Sequence, residues 1–323
     1  MDAKEQAIAQ MNEWGSQQMP FLFIIDFAMQ KPMLYPLDDI PENIHFDIKG
    51  NTNTRQSSIE KTPFSFKSKP VSFEQYNCAF KQATDELNYG NSYLLNLTFA
   101  TALETNLDLK TIFLRSHAPY KLWLDSNFVV FSPETFVRIE DGIISSYPMK
   151  GTIDAAIPEA EKILLNDPKE IAEHATIVDL IRNDLNKIAA DVKVVDYRYV
   201  EKVETFRHTL LQMSSKIEGR LPTNYREHLG TLFFSLLPAG SISGAPKKKT
   251  LEIIAEVEKS ERGFFTGVFG VFDGKNLDSG VMIRFIEQQK DKLFFRSGGG
   301  ITAQSKAKAE YEELIDKVYV PFV

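Results

Sequence analysis

The residues of this chain best suited to chemistry are two pairs of glutamates and a lysine beside a glycine. Glu170 and Glu173 stand one helical turn apart in the stretch 169–187, KEIAEHATIVDLIRNDLNK, and Glu310 and Glu313 repeat that spacing near the end of the chain. At about 100° per residue the first stretch collects Leu180, Ile177, Ile181, Ile188, Leu185 and Val178 on one arc, with Arg182, Asp179, Asn183 and Asn186 opposite. Glu170 and Glu173 project from the middle of the apolar arc. Burying two carboxylates there is costly unless a cation or several donors compensate them. The alternative is a partly solvated acidic first turn that complements the helix dipole. Glu310 and Glu313 likewise border an apolar face, made by Ala307, Tyr311, Leu314 and Val318. Two helices that each present a glutamate pair would suit a hard cation, and Mg²⁺ takes few carboxylates, keeps waters and leaves room for an anionic group.

Other stretches are suggestive one by one. Lys150 in Pro148-Met149-Lys150-Gly151-Thr152 follows an expected strand and opens an expected loop; a solvated lysine is the ordinary case there, and a desolvated one becomes a nucleophile. Glu134 in Ser132-Pro133-Glu134 sits at a strand junction and is a candidate general acid. Arg296-Ser297-Gly298-Gly299-Gly300 leads toward a helix, where backbone N–H groups can approach an anion. The loop Gly240-Ser241-Ile242-Ser243-Gly244-Ala245-Pro246-Lys247 is similar in character, but its glycine spacing is not that of a nucleotide-binding P-loop.

The elements that must carry these residues are mixed. Residues 20–48 read as two or three short strands, 49–70 as a long polar loop or joint, and 72–88 as a helix capped by Ser72 and ended by Gly90. Strands are expected over 93–102, 121–130, 135–139 and 143–147, the last two joined by Asp141-Gly142. Further strands are expected near 192–195, 211–217, 267–272, 280–286 and 292–297, with helices over 226–237, 248–257 and 305–320. No internal repeat and no regular βαβ rhythm is present, so the fold class is α+β with mostly antiparallel sheets. A strand-rich N-terminal segment, 1–68, is expected to precede a catalytic domain over 69–323.

Composition narrows the function. The formal charge is −7, from 37 basic and 44 acidic residues, without a basic tail, which argues against nucleic-acid or anionic-membrane binding. The single cysteine, Cys78, allows no internal disulfide and suits a reducing cytoplasm. The first fifteen residues are too polar for a signal peptide, and the apolar run at 21–28 is too short to span a bilayer. One Cys and five scattered His make a zinc cage improbable, so any metal would have oxygen ligands.

Taken together, these stretches resemble the chorismate-utilising enzymes, a family that includes the large subunits of anthranilate synthase and aminodeoxychorismate synthase. The resemblance rests on YLLNLTF (93–99), SPETFVRI (132–139), PMKGT (148–152), EIAEHATIVDLIRNDL (170–185), LLPAGSISGAPK (236–247), GVFGVF (267–272), MIRF (282–285) and SGGGIT followed by EYEELIDK (297–317). It covers about residues 70–320 in the family's order. It implies an anthranilate synthase component I-like α+β fold: a large, mostly antiparallel β-sandwich with surrounding helices and a buried site for chorismate. It implies that Glu173 and Glu313 bind Mg²⁺ directly, that Glu170 and Glu310 act through waters, and that Gly151, Thr152, Ser243, Arg284, Gly299 and Gly300 contact substrate.

Lys150 selects within the family. Anthranilate synthases carry a small residue in this motif, whereas aminodeoxychorismate synthases carry a lysine that is proposed to attack C2 of chorismate and expel the 4-hydroxyl, with Glu134 matching the acid that protonates it. Ammonia then adds at C4 and displaces the lysine, on the route to 4-aminobenzoate and folate. Isochorismate and salicylate synthases have a lysine base where this chain has Leu94, which cannot activate water. Anthranilate synthase and a non-catalytic chorismate-binding subunit are the remaining alternatives. No glutaminase nucleophile is visible, since Cys78 sits in an amphipathic helix, so the resemblance implies a separate glutamine amidotransferase subunit as the source of ammonia. Three positions depart from the family: Gln212 aligns with a histidine (His208 is out of register), Val271 with a tyrosine, and Lys187 with an arginine. The short N-terminal region lacks the segment of the family's tryptophan pocket, so bound tryptophan is not expected.

Overall fold

A computed structural model describes residues 1–54, 63–204 and 209–322. The centre of the polar 49–70 loop and His208 lie outside the described residues. The chain forms two compact units, each assembled from three separate stretches and each built on its own nine-stranded sheet. The registers described are antiparallel in both, as the α+β reading expects. The division does not follow a boundary near residue 68: residues 1–38 join the first unit and the stretch from Asp39 joins the second.

The first unit comprises Met1–Asp38, Glu134–Ser241 and Val268–Gly280. In its sheet Phe21–Ile25, buried at every position, pairs with Val268–Phe272 on one side and Met33–Pro36 on the other. Thr135–Glu140 and Ile143–Ser146 form the expected hairpin, with Asp141 at φ 49° and Gly142 at φ 80° in the turn. Thr209–Arg220 pairs with Ile143–Ser146, with Met149–Asp154 and with the long strand Ala190–Glu204. The helix Pro168–Leu185 starts at Asp167, whose side chain accepts from the Lys169 and Glu170 N–H groups. Its buried face holds Ile177, Val178, Ile181 and Leu185 and also Glu173, His174 and Asp184. The N-terminal segment is not solely strand-rich: Ala3–Ser16 is a helix. Asp2 and Glu5 cap it reciprocally, a capping-box signal readable in the sequence.

The second unit comprises Asp39–Pro133, Ile242–Gly267 and Val281–Val323. Leu94–Thr105 is its long central strand and pairs with Phe66–Lys69, Lys292–Ile301 and the short Gly244–Ala245. The single strand expected over 121–130 is a hairpin of Tyr120–Leu124 and Phe128–Ser132, turned at Ser126 with φ 55°. Helices Phe73–Tyr89, Lys247–Glu258 and Ala307–Asp316 share one apolar cluster, to which Tyr76, Phe80, Ile253, Ile254 and Leu314 contribute. Ser72 and Gly90 bound the first of these as the sequence indicates, Gly90 in the left-handed region at φ 89°. Among the described residues no helix is long and apolar enough to cross a membrane.

Candidate active site

In the first unit Lys150 does not open a loop; it lies in the strand Met149–Asp154, opposite Met213. The register slips between Lys150 and Thr152, and Gly151 sits in the slip at φ 73°. This bulge has a local cause. A β-carbon on Gly151 would fall 2.8 Å from Leu164 and 3.0 Å from Glu170 Oε2, so only glycine lets the strand pass this close to the helix. The Lys150 ammonium reaches Glu173 Oε2 at 3.4 Å, with the two side chains 17% and 7% exposed. Lys169, one turn before Glu173, approaches its other oxygen at 3.7 Å. That oxygen, Oε1, is buried and accepts no hydrogen bond. Thr152 is exposed and pairs in register with Gln212, which is buried.

Glu134 is buried and accepts a short hydrogen bond from the Ser241 hydroxyl. Both line a small cleft with Ser146, Tyr147, Asp184 and Leu236. His174 follows Glu173 on the helix and is fully buried. Burial, with the charges of Arg198 and Lys150, pushes its imidazole down to about 4.

In the second unit the run Gly298–Gly300 is not a loop at a helix start. It lies within the strand Lys292–Ile301, facing Thr98, Leu97 and Asn96. A β-carbon on Gly298 would strike the Leu97 carbonyl oxygen at 2.5 Å, so glycine here serves close strand approach. The position of a β-carbon on Gly299 lies 3.7 Å from Glu310 Oε2, from Glu313 Oε1 and from Lys317 Nζ. Lys317 pairs with Glu313 at 2.6 Å and donates to the Gly298 carbonyl at 2.8 Å. Glu310 is buried, and it and Glu313 add to burial in raising the phenol of Tyr76. Arg284 holds φ 52°; its carbonyl accepts from the Phe131 N–H at 3.1 Å, and its guanidinium stacks over Tyr319 with Nε 3.4 Å from the hydroxyl. Ser243 is fully buried at the end of the short helix Gly240–Ser243.

Arg262 braces this region. Its guanidinium bonds Glu258 twice, at 2.9 and 2.6 Å, and donates to the carbonyls of Ile242 and Asn96. Glu258 also accepts from the Thr98 N–H at 2.8 Å. Both members of the pair are 2% exposed in their side chains, yet every charged atom is hydrogen-bonded.

Two of the four glutamates thus belong to each unit. Among the described residues no three acidic, histidine or cysteine side chains are already gathered around a metal position. Instead, Glu173 and Glu313 are each paired with lysine ammonium groups. Each pair, taken within its own unit, offers only oxygen donors, which suit a hard cation, and in the first unit Glu173 Oε1 is buried and accepts no hydrogen bond. Lys169, His174, Ser241 and Lys317 do not stand out in the sequence as site residues. Two of them carried a signal all the same: Lys169–Glu173 and Glu313–Lys317 are both spaced four apart on helices.

The profile of the family described as "chorismate binding enzyme" matches residues 35–322. The chain is a chorismate-binding enzyme by family. An "Uncharacterized PabA-like protein" of Haemophilus influenzae is 50% identical over 315 residues, covering 97% of this chain and 96% of that protein. Aminodeoxychorismate synthase component 1 of Salmonella typhimurium is 34% identical over 285 residues, covering 82% of this chain but 61% of that relative. The crystal structure of anthranilate synthase component I from Streptococcus pneumoniae superposes with a TM-score of 0.66 at 26% identity, over 80% of this chain and 60% of that one. Membership in the chorismate-binding family accords with the eight stretches that carry the sequence resemblance. The family departures Gln212 and Val271 are buried at sheet positions, and Leu94 is a buried strand residue.

Proposed function

We propose that this chorismate-binding enzyme is the synthase subunit of an aminodeoxychorismate synthase, replacing the 4-hydroxyl of chorismate with ammonia. The observation that carries the reading is Lys150: a largely buried primary amine on a bulged strand, its nitrogen 3.4 Å from Glu173 Oε2. Lys150, reacting as the neutral amine, forms a bond to C2; both ring double bonds shift, from C1=C2 to C1=C6 and from C5=C6 to C4=C5, and the C4–O bond breaks. Glu134 gives its proton to the departing oxygen, which leaves as water. Ammonia then bonds to C4, both double bonds shift back to C5=C6 and C1=C2, and the C2–N bond breaks to return Lys150 as a neutral amine. Glu134 takes the surplus proton from the new ammonium group, so acid and base roles alternate on one carboxyl. The hydrogen bond from Ser241 orients that carboxyl.

Mg²⁺ suits the carboxylate set: Glu173 and Glu313 would hold it, with Glu170 and Glu310 acting through waters, and it would supply positive charge to a carboxylate of the substrate. Arg284, with Ser243, Gly151, Thr152, Gly299 and Gly300, would bind the remaining substrate oxygens. A glutamine amidotransferase partner would supply ammonia in a cytoplasmic setting. The experiment is product analysis with chorismate, Mg²⁺ and ammonium at alkaline pH, with and without an aminodeoxychorismate lyase. Formation of 4-aminobenzoate only when the lyase is present supports the reading. Anthranilate and pyruvate formed without the lyase would instead make the chain an anthranilate synthase and remove the role of Lys150.

A further inference from the structure

His174 is fully buried, and nothing in the chemistry above uses it. Its Nε2 shares a hydrogen bond with Ser215 Oγ at 2.7 Å, while its Nδ1 is buried and makes none. The same hydroxyl oxygen accepts from the Arg198 N–H at 2.9 Å. The Ser215 N–H donates to the Pro148 carbonyl at 3.0 Å. One serine therefore ties the helix Pro168–Leu185 to the strand Ala190–Glu204 and to the start of the Lys150 strand. Arg198 is held in the left-handed region at φ 57°, with its guanidinium on the Leu165 carbonyl and 3.3 Å from Met213 Sδ, so the strand end of this tie is itself braced.

Glu173 immediately precedes His174, and Lys150 follows Pro148 by two residues. The 3.4 Å approach of Lys150 to Glu173 is thereby closed by a second link a few residues away on each element. Leucine would fill this space without burying an unbonded nitrogen, whose desolvation is unfavourable. What imidazole adds is the directional bond to Ser215. We infer that His174 is a positioning residue that, through Ser215, holds the helix bearing Glu173 in register with the strand bearing Lys150. The kinetic consequence rests on the role proposed for Lys150; the geometric one does not.

The test uses the full chain as His174→Leu, His174→Gln, Ser215→Ala and the Leu/Ala double variant. The first readout is the rate at which Lys150 reacts with trinitrobenzenesulfonate, followed by peptide mass spectrometry. The second is steady-state amination of chorismate. Loss of the tie should raise Lys150 labelling severalfold in His174→Leu and Ser215→Ala alike. It should lower kcat by about tenfold to a hundredfold, as small misplacements of reacting groups do, and leave KM for chorismate within about twofold. The double variant should match either single one, and His174→Gln should restore both readouts. Unchanged labelling and kcat in both single variants would overturn the inference. So would additive losses that glutamine does not rescue, because these would mark simple packing. If the wild-type chain makes no amino product, the proposed function fails and labelling alone decides the tie. If His174→Leu does not fold, labelling and kcat of Ser215→Ala decide in its place.

Discussion

At the residue scale, Lys150 is the proposed nucleophile and Gly151 supplies the shape of the bulge beside it. Lys150→Arg keeps a cation beside Glu173 but cannot present a neutral amine. Amination should therefore be lost in Lys150→Arg as fully as in Lys150→Ala; activity retained in the arginine variant would mean that the lysine acts through its charge alone. Gly151→Ala meets two obstacles at once, a positive φ and a β-carbon 2.8 Å from Leu164. It should destabilise the protein by roughly 1–3 kcal/mol, read as a lower denaturant midpoint. It should also weaken chorismate turnover, since the side chain that must yield on the other side is Glu170.

At the scale of elements, the helix Pro168–Leu185 depends on its first residues. Asp167 accepts from the N–H groups of Lys169 and Glu170 at 2.8 and 3.1 Å. Replacing it with alanine should cost about 1 kcal/mol and fray the turn that carries Glu170. If Glu170 serves the proposed Mg²⁺ site, the expected signature is a higher Mg²⁺ concentration for half-maximal activity with little change at saturating Mg²⁺; an unaltered titration would remove Glu170 from that proposal. In the second unit, Glu258→Ala strands the Arg262 guanidinium in a buried site where the pair is 2% exposed. A loss of roughly 3–5 kcal/mol is expected, measurable by urea unfolding, because desolvation is retained while the partner is gone.

At the scale of the whole molecule, His174 links stability to acidity. Its folded pKa is about 4 against an ordinary 6.5, so the folded state keeps the ring neutral while the unfolded chain takes up a proton. Between those two values the unfolded state binds more protons, so stability rises with pH. The contribution is complete above about 6.5 and is lost as the pH falls toward 4, with a slope of at most about 1.4 kcal/mol per pH unit. Urea unfolding of wild type and His174→Leu across this range should show wild type losing stability relative to the variant as the pH falls. A constant difference would mean the ring is not held neutral.

How much of this was legible in the sequence depends on whether the signal was local. The capped helix from Ser72 to Gly90, the Asp141-Gly142 hairpin and the amphipathic stretch with its two out-of-place glutamates are set by neighbours a few residues away, and they stand where periodicity put them. The family was legible too, because eight motifs in order carry more information than any one. By itself the sequence thus determined the α+β class, the family and the residue types available for chemistry. Tertiary structure decided the rest. Gly298–Gly300 reads as a loop until a partner strand supplies backbone within 2.5 Å of a β-carbon position, which makes it sheet. Lys150 reads as a solvated lysine until a bulge and a helix remove its water. Gly244–Ala245 becomes a strand only against Leu94 and Leu95, some 150 residues earlier. The division into units, each drawn from three distant stretches, has no local signature either. Pairing between strands far apart in the chain is a property of two surfaces meeting, and periodicity in one stretch reports only the surface it offers.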